Sequence, residues 1–127
     1  MTPIKATVHY STNAIMEITA EGFPQLASAV LGLDELFHPL YIILDEKKYL
    51  YNRNVFYSIA RGNMDMQEFI ARFQIDGVCR NKETIEVYGQ EVDMQSLWFK
   101  KGDRLYLIDD DNFLETEYDS NTFTELS

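Results

Sequence analysis

The first residues alternate. Across residues 4–10, Ile4, Ala6, Val8 and Tyr10 fall on one side and Lys5, Thr7 and His9 on the other. That period belongs to a half-buried strand. Ser11-Thr12-Asn13 is turn chemistry, and residues 14–19 read as a second strand, so a hairpin is expected at the start. The period then lengthens. Leu26, Ala29, Val30 and Leu33 recur at helical spacing behind Pro24, which suits the first turn of a helix, and Gly32 is placed to end it. Residues 40–45 are a short apolar run that predicts a central strand. Residues 49–60 alternate again, with Tyr49, Tyr51, Val55, Tyr57 and Ile59 on one side. They read as one long strand or as a hairpin broken at Asn52-Arg53-Asn54, and the two asparagines favour the break. A second helix is expected over residues 63–73, with Met66, Phe69, Ile70 and Phe73 as its stripe and Asp65 and Glu68 at capping-box spacing. Asp76-Gly77 marks a turn. Residues 83–88, 92–99 and 104–109 then read as a meander of three strands. The expected class is α+β: a mostly antiparallel sheet of about six to eight strands with two helices packed on it.

Composition narrows this picture. The chain has 127 residues, 46% of them hydrophobic, and reads as one domain over 1–127. Its one cysteine, Cys79, cannot close an internal bridge, which excludes a small disulfide scaffold. The opening residues lack the apolar core and cleavage site of a secretory leader. The longest apolar run, residues 40–44, is too short for a membrane span. A cytoplasmic location is expected.

Charge changes the picture more. Lys and Arg number 11 against 21 Asp and Glu, a net charge of −10. From Asp109 to the end there are seven acids (Asp109, Asp110, Asp111, Glu115, Glu117, Asp119 and Glu125) and no Lys, Arg or His. Such an end repels a phosphate backbone and steers toward a basic partner. Phe113, Leu114, Tyr118 and Phe123 interrupt the acids, as they would in a segment partly docked on the body.

Catalytic and cofactor chemistry is not legible. The six glycines stand singly, without phosphate-loop spacing, and one Cys with two His makes no zinc pattern. Residues 109–120 fail the calcium-loop pattern at Phe113 and Leu114. His9 and His38 read as surface and loop residues, and nothing in the sequence brings either to Cys79 as a base to a thiol. No catalytic, cofactor or metal residues are assigned. The aromatic set around Arg53 has two readings. One is packing of a sheet face; the other is a binding face centred on Tyr51, Arg53 and Tyr57.

Residues 15–33 form a strand, an acidic-glycine turn and a short Leu/Ala helix. That order resembles the opening of small bacterial immunity proteins, which guard a cell against its own polymorphic toxins. The resemblance implies a protein that plugs a toxin's active site or blocks its substrate surface. The expected function is therefore a protein-interaction module of the inhibitor or immunity type. Its partner is a basic protein, a toxin or effector, with no direct nucleic-acid or membrane binding and no cofactor. The expected contact residues are Asp109, Asp110, Asp111, Glu115, Glu117, Asp119, Tyr51, Arg53 and Tyr57. The alternatives are a chaperone or adaptor for a secreted effector, or a small-ligand or enzymatic domain using a concave sheet face.

Overall fold

In a computed structural model of the chain, residues 3–10, 12, 14–35, 38–108 and 113–126 are described. They form two compact units, Met1–Gln74 and Ile75–Ser127.

The first unit begins with the expected hairpin, β1 (Ile4–Tyr10) and β2 (Ile15–Ala20). Helix α1 (Phe23–Asp34) follows, with Pro24 in its first turn. Gly32 lies inside it, and the helix continues two residues further. β3 (Pro39–Leu44) and β4 (Lys47–Leu50) make a second hairpin through Asp45 and Glu46, both at positive φ. Then come α2 (Arg53–Ala60), α3 (Met66–Phe73) and the two-residue β5 (Gln74–Ile75). The sheet order is β2-β1-β3-β4-β5. Ala6, Val8 and Tyr10 of β1, with Ile42, Leu44, Tyr49 and Tyr51, bury against Leu26, Ala27, Val30, Phe56, Ile59 and Phe69 of the helices. Burying these side chains out of water is the main stabilisation of the unit.

The second unit continues with β6 (Gly77–Asn81), β7 (Ile85–Val87), β8 (Gln90–Val92), β9 (Leu97–Lys101), β10 (Arg104–Ile108), β11 (Phe113–Glu117) and β12 (Phe123–Glu125). Five of these form a sheet in the order β11-β10-β9-β6-β12, and β7 and β8 pair as a separate ribbon. Trp98 is the centre of its core, with Cys79, Leu105, Leu114 and Phe123 around it. The fully buried Asn81 is satisfied on every side. Its amide donates to the Glu83 and Asp93 carbonyls, and its oxygen accepts from the Trp98 indole N–H at 3.2 Å.

The α+β class and the antiparallel pairing hold. The counts do not: the described residues contain three helices and twelve strands in three sheets, where two helices and six to eight strands were expected. The extra helix is α2, in the segment read as strand or hairpin. Asn52 is not a turn residue there but the helix cap, its side chain accepting the Val55 N–H at 3.2 Å. Val55, Phe56, Ile59 and Ala60 then meet the core at helical spacing. The apparent alternation joined the end of β4 to a helix. The meander also divides. Residues 92–99 are not one strand, because Gln95 at positive φ and the Ser96 hydroxyl, donating to the Asp93 carbonyl, turn the chain between β8 and β9. The remaining surplus is β5, β8 and β12, of two or three residues and too short to show a period, and the five-residue β6 and β11, which begin in a segment read as a turn and in the acidic end.

Candidate partner-binding surface

The charge is not shared evenly between the units. Residues 1–74 hold six basic and eight acidic residues; residues 75–127 hold five and thirteen. The second unit thus carries −8 of the net −10.

Much of the acidity at its end is engaged within the fold. Glu115 accepts from Arg104 Nε at 2.7 Å, and Glu117 lies 3.5 Å from the same guanidinium. The Glu115 hydrogen bond, then the charges of both glutamates, stabilise the Arg104 cation. Glu125 meets Lys100 at 3.0 Å. Asp119 builds the turn before β12: it accepts the Asn121 N–H at 3.0 Å and the Thr122 hydroxyl at 2.9 Å. Those two hydrogen bonds, the backbone one first, hold its carboxyl below the ordinary value. Leu114 and Phe123 are buried, so the acids stand on a docked framework. Asp109, Asp110 and Asp111 lie outside the described residues.

The β7–β8 ribbon is different. Ile85, Val87 and Val92 turn inward to the Trp98 core, and the alternation leaves Glu86 and Glu91 outward. The register sets these two carboxylates directly opposite each other. Like charges so placed destabilise a ribbon. Neither makes an ion pair among the described residues. Between them Tyr88 and Gly89 form a two-residue loop with φ of 51° and 77°. A loop with both central residues at positive φ favours Asn-Gly or Asp-Gly. Glycine supplies that conformation freely, but an aromatic residue there is strained. Tyr88 is nevertheless 81% exposed.

In the first unit Tyr51 and Arg53 do meet, but around Asp34 rather than on an open face. The Asp34 side chain is 3% exposed and accepts from Tyr51 Oη at 2.8 Å, Arg53 Nε at 3.0 Å and His38 Nδ1 at 3.2 Å. Desolvation alone would raise its pKa; the hydrogen bonds from Tyr51, Arg53 and His38 and the Arg53 charge outweigh it and hold the carboxyl down. Burial, then Asp34, drives the Tyr51 phenol upward. Tyr51 is therefore a core residue. Tyr57 is not part of this cluster. It lies on the outer side of α2, 44% exposed, with the Arg61 guanidinium 5.7 Å from its ring centre.

His9 stacks on Tyr41 with ring centres 4.6 Å apart, and burial followed by the Lys48 charge lowers its pKa. Cys79 is fully buried, which pushes its thiol up to about 11, the opposite of what a nucleophile needs. A depression of about 550 Å³ in the first unit is lined by Pro3, Ile4, Lys5, Leu44, Asp45 and Met66. It is open to solvent and mostly apolar. Among the described residues no three His, Cys, Asp or Glu side chains converge as a metal ion would require, and no helix is long and apolar enough to cross a membrane.

Sequence reasoning missed Tyr88, Glu86, Glu91 and Asp34. A signal for the first three existed. Residues 85–92 read Ile-Glu-Val-Tyr-Gly-Gln-Glu-Val, a short alternating hairpin with tyrosine where asparagine is usual. The loop takes Tyr88 out of the strand expected over residues 83–88, which ends at Val87. No family model, curated protein or solved structure matches the chain.

Proposed function

We propose that the chain is a protein-interaction module of the inhibitor or immunity type, which holds a basic partner such as a toxin and does no chemistry on it. The observation that carries this reading is Tyr88, a strained and exposed aromatic between two opposed, unpaired carboxylates on the acidic unit. Folding gains nothing from that arrangement, since both the conformation and the charge opposition cost stability. A partner supplies what is missing. Its Lys or Arg side chains neutralise Glu86 and Glu91, and Tyr88 enters the contact as an aromatic anchor. The remaining acids of the unit steer the encounter. The site of action is the cytoplasm of the cell being protected.

The test begins with affinity capture from the source cell and identification of the bound protein, followed by kinetics with that protein purified. The expected partner is basic. Its association rate should fall about ten-fold or more between low salt and about 0.5 M salt. Tyr88→Asn should speed dissociation, and Glu86→Gln with Glu91→Gln should flatten the salt dependence. A neutral or acidic partner, or turnover of a substrate by the purified chain, would overturn the reading.

A further inference from the structure

The fold leaves one long sheet edge guarded by a single charge, and its hydrogen-bonding pattern identifies what fits there. Free strand edges attract other strands and are blunted by shortness, charge, proline or bulges. Three edges of the two larger sheets obey this. β5 has two residues and β12 three, and β11 carries Glu115 and Glu117. β2 obeys it least. It is an edge of six residues, Ile-Met-Glu-Ile-Thr-Ala, whose one charge is Glu17, with no Pro or Gly, and its register with β1 runs without a bulge. Ile15 and Met16 are 62% and 43% exposed.

The direction of its backbone groups follows from the hairpin. The Tyr10 N–H donates to the Ala14 carbonyl at 3.0 Å. Val8 opposite Met16, Ala6 opposite Ile18 and Ile4 opposite Ala20 have the same parity. In an antiparallel pair, hydrogen-bonded and non-hydrogen-bonded positions alternate. The even residues of β2 therefore turn their N–H and C=O groups to β1. Ile15, Glu17 and Thr19 turn theirs outward, three residues in line for another strand.

We propose that this edge joins two copies of the chain, β2 against β2 and antiparallel about a two-fold axis through Ile18. Symmetry allows only registers that pair odd residues with odd. An axis at Glu17 opposes two carboxylates, which is unfavourable. An axis at Met16 sets Glu17 opposite the second copy's Ile15, a carboxylate against an apolar side chain. The axis at Ile18 sets Glu17 opposite the second copy's Thr19, and Thr19 opposite its Glu17, for four backbone hydrogen bonds. It also sets Met16 opposite Ala20 and Ile18 beside its own copy. The contact lies on the unit that carries only −2, so charge opposes it weakly. A single short strand from each copy buries less than a standard interface, which makes the dimer weak and concentration-dependent. This inference is independent of the partner reading above.

The test is sedimentation of the full chain from about 10 µM to about 1 mM, a range suited to an association of that strength. A monomer–dimer equilibrium is expected. Thr19 is exposed, so charge can be placed on it without disturbing the core. Thr19→Glu sets acid against Glu17 twice and should weaken the dimer about ten-fold at low salt. Thr19→Lys sets a cation there and should tighten it several-fold. Both effects should fade in about 0.5 M salt. Hydrogen exchange gives a second readout in the unaltered protein. The amides of Glu17 and Thr19 should gain protection with concentration, while those of Ile15, Met16 and Ile18 stay constant. A monomer at the highest concentration, a dimer indifferent to both substitutions, or concentration-dependent protection elsewhere would overturn the proposal.

Discussion

Asp34 and Arg53 each have the wrong sign for their own helix. A carboxylate at the last position of α1 faces the negative end of the helix dipole, and a guanidinium in the first turn of α2 faces the positive end. Joined at 3.0 Å, each offsets the other's misplacement, and the Tyr51 hydroxyl and His38 complete the shell around a carboxyl removed from water. Asp34→Asn keeps the shape but removes the charge those donors serve, and should cost about 2 kcal/mol at pH 7. The folded pKa of Asp34 lies below its ordinary 3.8. The stabilisation is therefore present above that value and is lost as the pH falls through the depressed one. Urea unfolding of both proteins from about pH 7 to about pH 2 should show the deficit of the variant closing in that acid window. Unequal stability at the lowest pH would mean that packing, not ionisation, sets the cost.

At the scale of elements, the long periodic segments were legible and the short ones were not. β1, β2, α1, β3 and most of α3 lie where the spacing of apolar residues put them, because each turns apolar residues at a regular period toward the core of the first unit. The Asp65 cap was also readable: its side chain accepts the Glu68 N–H at 2.8 Å. α2 was not readable, since eight residues following an alternating strand end give two periods in one window. The binding candidates divide along the same line. Acidity could be counted from composition, but which acids are free depends on Arg104, Lys100 and the Asp119 turn, all settled by tertiary pairing. Tyr88 carries a prediction at this scale. Tyr88→Asn replaces a strained residue by one that tolerates the left-handed region, and should stabilise the ribbon by about 1 kcal/mol. Denaturant unfolding measures it. A loss of stability would show that Tyr88 serves the fold and not a partner.

Across the whole molecule, charge is segregated while apolar burial is not. Each unit has its own core, but residues 75–127 carry most of the acidity. The acidic end is also structural, supplying the two outer strands of its sheet, β11 and β12, and the buried Leu114 and Phe123. Deleting residues 110–127 should therefore cost the second unit its fold as well as its charge. The expected result is collapsed amide dispersion for residues 75–109 in NMR spectra, with the first unit unchanged. Preserved dispersion would mean that the end is an appendage and that neutralising and deleting it are equivalent experiments.

The placement of Trp98 has a practical consequence. It is the chain's one tryptophan, buried in the second unit, while all three helices of the described residues lie in the first. Indole emission excited near the red edge of absorption reports on one unit, and helical ellipticity reports on the other. Two inexpensive optical signals thus follow the two halves of the chain separately, without a label or an added probe.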